Sequence, residues 1–212
     1  KLENYTVFED HLIEFDSGIN IFIGENGTGK THLFKVLYSE CQCVDQRVSF
    51  SHKLVSTMLP DDYKISRLIT RKQGNRSALI RIFAGERDVT QERVLSASFH
   101  GKTKKWDAEV TGEKGWDEPE SNINPSYISI IVELLLELQR KGVQVFVSTH
   151  DYMIASYFEV RKAKNDSIAF HSLSHVGKTC DLIYEKKEKF ADLKNNAIVS
   201  AFDKLLDEIY DL

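Results

Sequence analysis

Cysteine, proline and tryptophan are scarce in this chain: three Cys, three Pro and two Trp among 212 residues. Cys41 and Cys43 have the wrong spacing for a C-x-x-C metal or redox pair, and Cys180 is remote from both. A disulfide scaffold is thereby excluded, and the thiols read as reduced small hydrophobes of a cytoplasmic protein. Basic charge is not in excess either. Lys and Arg number 28 against 32 Asp and Glu, a net charge of −4, so no global positive field advertises a nucleic-acid partner. No apolar run approaches the roughly 18 residues a membrane span needs, and no secretory leader is visible. Repeats and low-complexity segments are absent. The chain opens on Lys1 rather than Met, inside a stretch that reads as a strand, and a few leading residues are expected before it.

What is present reads as α/β. Lys1 to Phe15 alternates loosely, as two short strands joined near Glu9-Asp10 would. Asp16-Ser17-Gly18 is a turn, and Ile19 to Ile23 is apolar except for Asn20, the pattern of a buried parallel strand. Leu33, Phe34, Val36 and Leu37 then recur at helical spacing from about Lys30 to Glu40. From Val48 to Val110 the character changes. Lys64–Arg71, Ala78–Phe83, Val94–His100 and Thr103–Val110 read as strands of an antiparallel meander. Past Pro125 the α/β pattern resumes. A helix through Ile128 and Leu138 ends at Lys141-Gly142, a strand follows at Val143–Ser148, and Asp151–Lys162 reads as a helix. A hairpin, Ile168–Leu173 with Cys180–Tyr184, precedes an amphipathic helix from Asn196 to Leu212. The expected fold is a P-loop NTPase, a doubly wound and mainly parallel sheet with an inserted antiparallel β subdomain. Its parts are residues 1–47, the insertion 48–114, and 115–212.

One motif dominates. Gly24-Glu25-Asn26-Gly27-Thr28-Gly29-Lys30-Thr31 matches G-x-x-x-x-G-K-[ST] at every position. Glycines let the backbone curl until successive N–H groups face phosphate oxygens, and the helix opening at Lys30 adds its positive end. Lys30 is expected at the β- and γ-phosphates and Thr31 on Mg²⁺, with Gly24 to His32 as the nucleotide contact set. The alternative is a glycine-rich turn that binds nothing. The buried strand before it and the helix after it argue against that.

Two further features carry chemistry. Asp117-Glu118 suits the pair that P-loop ATPases use, an Asp in the Mg²⁺ shell and a Glu at the attacking water. The bland reading is a solvated acidic turn. His150, just past the strand that ends at Ser148, lies on the ligand side of such a sheet and within reach of a γ-phosphate or water. There the bland reading is a helix cap built from Thr149 or Asp151. The remaining histidines, among them His52, His100, His171 and His175, show no ligand-like grouping and read as surface or structural.

The run Ile21 to Thr31, then Asp117-Glu118-Pro119-Glu120-Ser121-Asn122, then Ser148-Thr149-His150-Asp151, resembles an ABC-class P-loop ATPase. It is most similar to the non-transporter branch of RecF and SMC heads and related bacterial AAA-type ATP-binding proteins. The resemblance implies ATP and Mg²⁺ as cofactors, Asp117 closing the Walker B strand, Glu118 as catalytic base, Ser121 to Asn124 as D-loop and His150 as switch histidine. It also implies ATP-driven pairing with a second copy, and work on DNA in repair or anti-phage defence beside a nuclease or other effector subunit. No membrane partner is implied.

Two departures stand out. The residues before Asp117 are Gly112-Glu113-Lys114-Gly115-Trp116, too polar for the central strand of a sheet, and no signature loop followed by a helix precedes them. Thr111-Gly112-Glu113-Lys114 resembles that loop only faintly. One cause covers both, a segment absent from the sequence between about Val110 and Trp116. Gln73 and Gln91 are the candidates for a Q-loop. Competing readings are a non-catalytic nucleotide-sensing scaffold and a P-loop kinase, the latter leaving His150 unexplained.

Overall fold

The computed structural model describes residues 1–43, 49–72, 74, 77–84, 93–103, 109–111, 128–175 and 181–210. The chain divides into two compact units, Lys1–Ile13 with Thr31–Asp117, and Glu14–Lys30 with Glu118–Leu212.

The first unit holds an antiparallel sheet of order β2-β1-β4-β5-β6. Its strands are β1 (Leu2–Tyr5), β2 (Phe8–His11), β4 (Ser77–Ala84), β5 (Arg93–His100) and β6 (Glu109–Thr111). The first two strands turn at Thr6-Val7 and not near Glu9-Asp10, because Tyr5 pairs Phe8 and Thr6 takes a φ of 50°. They join the same sheet as the later meander, with Leu2 opposite Ile80. The helix α1 (Lys30–Gln42) carries the buried Leu33, Phe34, Val36 and Leu37 of the expected helical face.

Two segments of this unit differ from the sequence reading. Phe50–Met58 is a helix, α2, capped by Ser49, whose hydroxyl accepts from the His52 N–H. Phe50, Leu54 and Val55 form its buried face. Lys64–Arg71 is not a strand. Ile65–Leu68 is a 3-10 turn that buries Ile65 and Leu68, and Ile69 forms a single bridge to Tyr5. The spacing of Ile65, Leu68 and Ile69 is helical, not alternating, which explains the difference. Thr6 donates to the Leu68 carbonyl and Thr70 to the Asn4 carbonyl, so the turn is stitched to β1.

The second unit holds a four-stranded sheet of order β7-β3-β8-β9. β3 (Ile19–Gly24), β7 (Val145–Thr149) and β8 (Ile168–His175) run parallel, and β9 (Leu182–Lys187) closes an antiparallel hairpin with β8. Ile19, Ile21 and Ile23 face a core shared with Ile128, Val132, Leu135 and Leu136 of α3 (Ile128–Arg140) and Ala155 and Phe158 of α4 (Tyr152–Arg161). All three isoleucines are fully buried, each contributing about 2 kcal/mol of burial. Asn20 and Phe22 face the other way, Phe22 stacked on His171 at 4.4 Å between centroids. The last helix, α5 (Ala197–Tyr210), meets α4 where Phe202 stacks on Tyr152. A bidentate pair ties the end of α3 to the turn before β8: Arg140 Nε and Nη2 reach the Asp166 carboxylate at 2.9 and 2.7 Å.

Candidate functional site

β3 delivers the phosphate loop. Both neighbours pair with it to its end, Thr149 opposite Ile23 and Leu173 opposite Gly24, so the end of the strand is held from two sides. A Cβ on Gly24 would stand 2.1 Å from the Leu173 carbonyl oxygen, so only glycine lets β8 approach this closely. Beyond it the chain curls. Gly27 and Gly29 take φ of 84° and 91°, the left-handed form that helps turn successive N–H groups toward an anion. Thr28 is fully buried and donates to the Glu25 carbonyl at 2.9 Å, closing the loop on itself. Glu25, Asn26 and Gly27 are exposed.

Lys30 opens α1 and is only 5% exposed. Its Nζ donates to the Gly24 carbonyl at 2.7 Å and the Glu25 carbonyl at 2.8 Å, with the Thr28 hydroxyl at 3.5 Å. These partners are all neutral. Desolvation therefore pulls the ammonium down to a pKa of about 8, offset only in part by the charge of Glu25. A buried cation whose hydrogen-bond partners are neutral, and which Glu25 offsets only in part, leaves charge for an anion to balance. The residues present thus fit a polyphosphate. Thr31 and His32 follow in the first turn of α1, Thr31 exposed and His32 half-buried. Burial, with Lys35 adding to it, lowers the His32 pKa.

His150 is exposed and follows β7 directly. Desolvation and then the charge of Lys30 lower its pKa, with the nearby Gly24 backbone acting against them. The two sequence readings of this segment, switch residue and helix cap, are not exclusive. Thr149 Oγ1 accepts from the Asp151 N–H at 2.9 Å, and the Asp151 carboxylate accepts from the Met153 N–H at 2.7 Å to cap α4.

The structure brings Gly24 to Lys30 and His150 together. Asp117, Glu118 and Ser121 to Asn124 lie outside the described residues, as do Gln73, Gln91 and Gly112 to Trp116, where a segment is expected to be absent. Thr111 closes β6. The sequence reading missed the Gly24 carbonyl as the acceptor for Lys30, since a backbone oxygen leaves no mark in residue identity. It also missed the tie between Asn20 and His171, for which the lone polar residue in Ile19–Ile23 was the available signal.

Known proteins share parts of this sequence. A stretch of 56 residues is 36% identical to the DNA replication and repair protein RecF of Pediococcus pentosaceus, covering 26% of this chain and 15% of that one. Over 83 residues the chain is 34% identical to RecF of Clostridium kluyveri, covering 39% of this chain and 22% of that one. The matched stretches thus span less than a quarter of these relatives. The structure of the recombination mediator protein RecF with ATP in the RecFOR pathway aligns with 61% of this chain and 32% of its own, at 19% identity and a TM-score of 0.33. No helix among the described residues is long and apolar enough to cross a membrane. The model of the AAA_23 family, described as an AAA domain, matches residues 1–211. The chain belongs to that family and is an ABC-class P-loop ATPase of the RecF/SMC type.

Proposed function

We propose that this chain is an ATP-binding and Mg²⁺-dependent ATP-hydrolysing head that pairs with a second copy of itself and drives or gates a partner in DNA repair or anti-phage defence. The observation that carries the reading is the buried ammonium of Lys30, held by neutral acceptors at the mouth of a curled glycine loop with His150 beside it. In this reading the sheet is the doubly wound core of a P-loop NTPase. Gly24 to His32 hold the phosphates, Thr31 and Asp117 hold Mg²⁺, and Glu118 is the base for the attacking water. The metal, when bound, supplies charge neutralisation at the phosphates. Lys30 orients and neutralises the polyphosphate, and His150 contacts its terminal group. The curated relatives are DNA replication and repair proteins, which supports DNA as the setting.

The test compares phosphate release by the wild type and Glu118→Gln, with size-exclusion chromatography in ATP. Release by the wild type, loss in the variant and a trapped ATP-bound dimer support the reading. Background release from both proteins would leave a nucleotide-sensing scaffold in its place.

A further inference from the structure

We propose that Tyr63, Lys64, Arg67 and Arg71 form a strip of the first unit that binds single-stranded nucleic acid. The inference deepens the DNA setting proposed above and does not depend on ATP hydrolysis.

The first observation lies in the sequence. From Tyr63 to Gly85 there are six Lys and Arg and not one Asp or Glu, in a chain that carries 32 acids against 28 bases. A solvated surface ordinarily mixes the signs, as where Arg140 meets Glu133 and Glu137. Here the mixing stops.

The fold turns part of this run into a face. Ile65, Leu68 and Ile69 are buried and root the segment in its unit. The Thr6 N–H donates to the Leu68 carbonyl and the Thr70 N–H to the Asn4 carbonyl, both at 2.8 Å, which holds the segment against β1. Between these anchors the cations stay at the surface. The Lys64 and Arg67 side chains are 45% and 50% exposed, and Arg71 is exposed too.

Backbone strain is the second observation. Leu59, Asp62 and Tyr63 take φ of 50°, 57° and 53°, and none is glycine. Leu59 caps α2 in that form. Asp62 and Tyr63 are consecutive, and a left-handed pair without glycine is costly. Strain of this kind gathers at binding sites, where the surroundings hold it in place. Its result here is display: Tyr63 stands 59% exposed directly before the first cation. The Asp62 carboxylate lies 2.9 Å from Lys64 and 3.9 Å from Arg67, so it draws both cations to one point.

An exposed ring with cations on a rigid backbone suits a single strand, whose bases stack while its phosphates pair. A duplex keeps its base faces to itself. A membrane surface would take apolar side chains as well, and Ile65, Leu68 and Ile69 are buried.

The experiment is fluorescence anisotropy of a labelled oligothymidylate of about 20 nucleotides, titrated with the full chain with and without ATP and Mg²⁺. Log affinity is expected to fall with log salt at a slope of about −2 or steeper. Arg71→Gln should weaken binding several-fold and flatten the slope by about 0.7. Tyr63→Ala should weaken it about tenfold with the slope kept, and Tyr63→Phe should match the wild type. Asp62→Asn tolerates the left-handed backbone, removes the competing charge and should tighten binding. Lys204→Gln, at a side chain 79% exposed, controls for bulk charge and should leave binding nearly unchanged. Thermal midpoints equal to the wild type show that the variants fold. Four results would each overturn the proposal: no binding in either condition, equal weakening by Lys204→Gln and Arg71→Gln, tighter binding of the matching duplex, or binding to phosphatidylglycerol vesicles alone. Anisotropy needs no hydrolysis, so its failure leaves the ATPase reading standing, and a chain that binds the strand but releases no phosphate keeps the strip.

Discussion

His171 donates from Nε2 to the Asn20 side-chain oxygen at 3.0 Å, across the paired strands β3 and β8. The rest of the network fixes the direction. Asn20 Oδ1 also accepts from the Asp16 N–H at 2.6 Å while its amide nitrogen donates to the Asp16 carbonyl at 2.9 Å, so the oxygen faces the ring. Nδ1 is left to accept from the Tyr184 hydroxyl at 2.9 Å. The ring is neutral, fully buried and has no nitrogen free for a second proton. Burial holds its pKa down to about 3.

Acid should therefore begin to destabilise the fold through this residue at a higher pH than through most carboxylates, although the folded ring itself stays unprotonated. The folded pKa lies below the ordinary histidine value, so the unfolded chain binds the extra proton first. Stability is complete above pH ~6.5 and falls as pH drops from there toward 3, by up to about 1.4 kcal/mol per unit. Urea unfolding at pH 6.5 and 5 should show a loss of roughly 2 kcal/mol from this group. His171→Gln should flatten that slope although it lowers stability overall. An unchanged slope in the variant would assign the effect elsewhere.

Lys30→Met separates folding from binding. The ammonium is desolvated among neutral acceptors, so replacing it with an apolar chain of similar length should leave the nucleotide-free protein as stable as the wild type or more so. The wild type should gain about 2.7 kcal/mol when ATP with Mg²⁺ is present at 100 times its Kd, and the variant should gain none. A variant whose midpoint still rises with ATP would remove Lys30 from the site.

Two glycines of one loop should respond differently to alanine. At Gly24 a methyl group meets the Leu173 carbonyl at 2.1 Å and forces β3 and β8 apart, so Gly24→Ala should cost about 3 kcal/mol or prevent folding. At Gly27 the space is open and only the positive φ objects, so Gly27→Ala should cost about 1 kcal/mol. Chemical denaturation of the two variants measures both. Equal costs would mean that β8 yields to the methyl group.

The clamp on α3 should show the same kind of contrast. Arg140 spans the Asp166 carboxylate, whose side chain is 3% exposed, and Glu137, whose side chain is 52% exposed. Arg140→Ala strands the sheltered carboxylate and should lower the thermal midpoint well beyond Glu137→Ala, which loses only a screened surface pair. Midpoints that move equally would show that shelter does not matter here.

The phosphate loop was legible because its motif is local. Glycines, lysine and threonine at fixed spacing follow an apolar run and open a helix, and each is needed where it stands. The meander was legible in Ala78–Phe83, an apolar run broken only by Arg81, and in Val94–His100, where apolar and polar residues alternate from Leu95 to His100. It failed at Phe50–Met58, where Val55, Ser56 and Thr57 suit strands and only the Ser49 cap marks a helix start. It failed again at Thr6-Val7, a turn reached with a non-glycine residue at positive φ. At the site, residue types announced Lys30 and His150 but not that the end of β7 lies beside the end of β3, which exists only once the two strands are aligned.

That alignment has a consequence for how the chain avoids misfolding. A strand reading Ile-Asn-Ile-Phe-Ile is buried along its whole length, and sliding it by two residues keeps every side chain on its own face. Hydrophobicity alone barely objects to such a slip. Asn20 does, because it would leave His171 on β8 and break the one hydrogen bond of this network that crosses between the strands. A two-residue slip moves the strand end by about 6.6 Å, more than the span of a phosphate group. One buried amide thus acts as a ruler, setting how far the glycine loop projects before any nucleotide arrives.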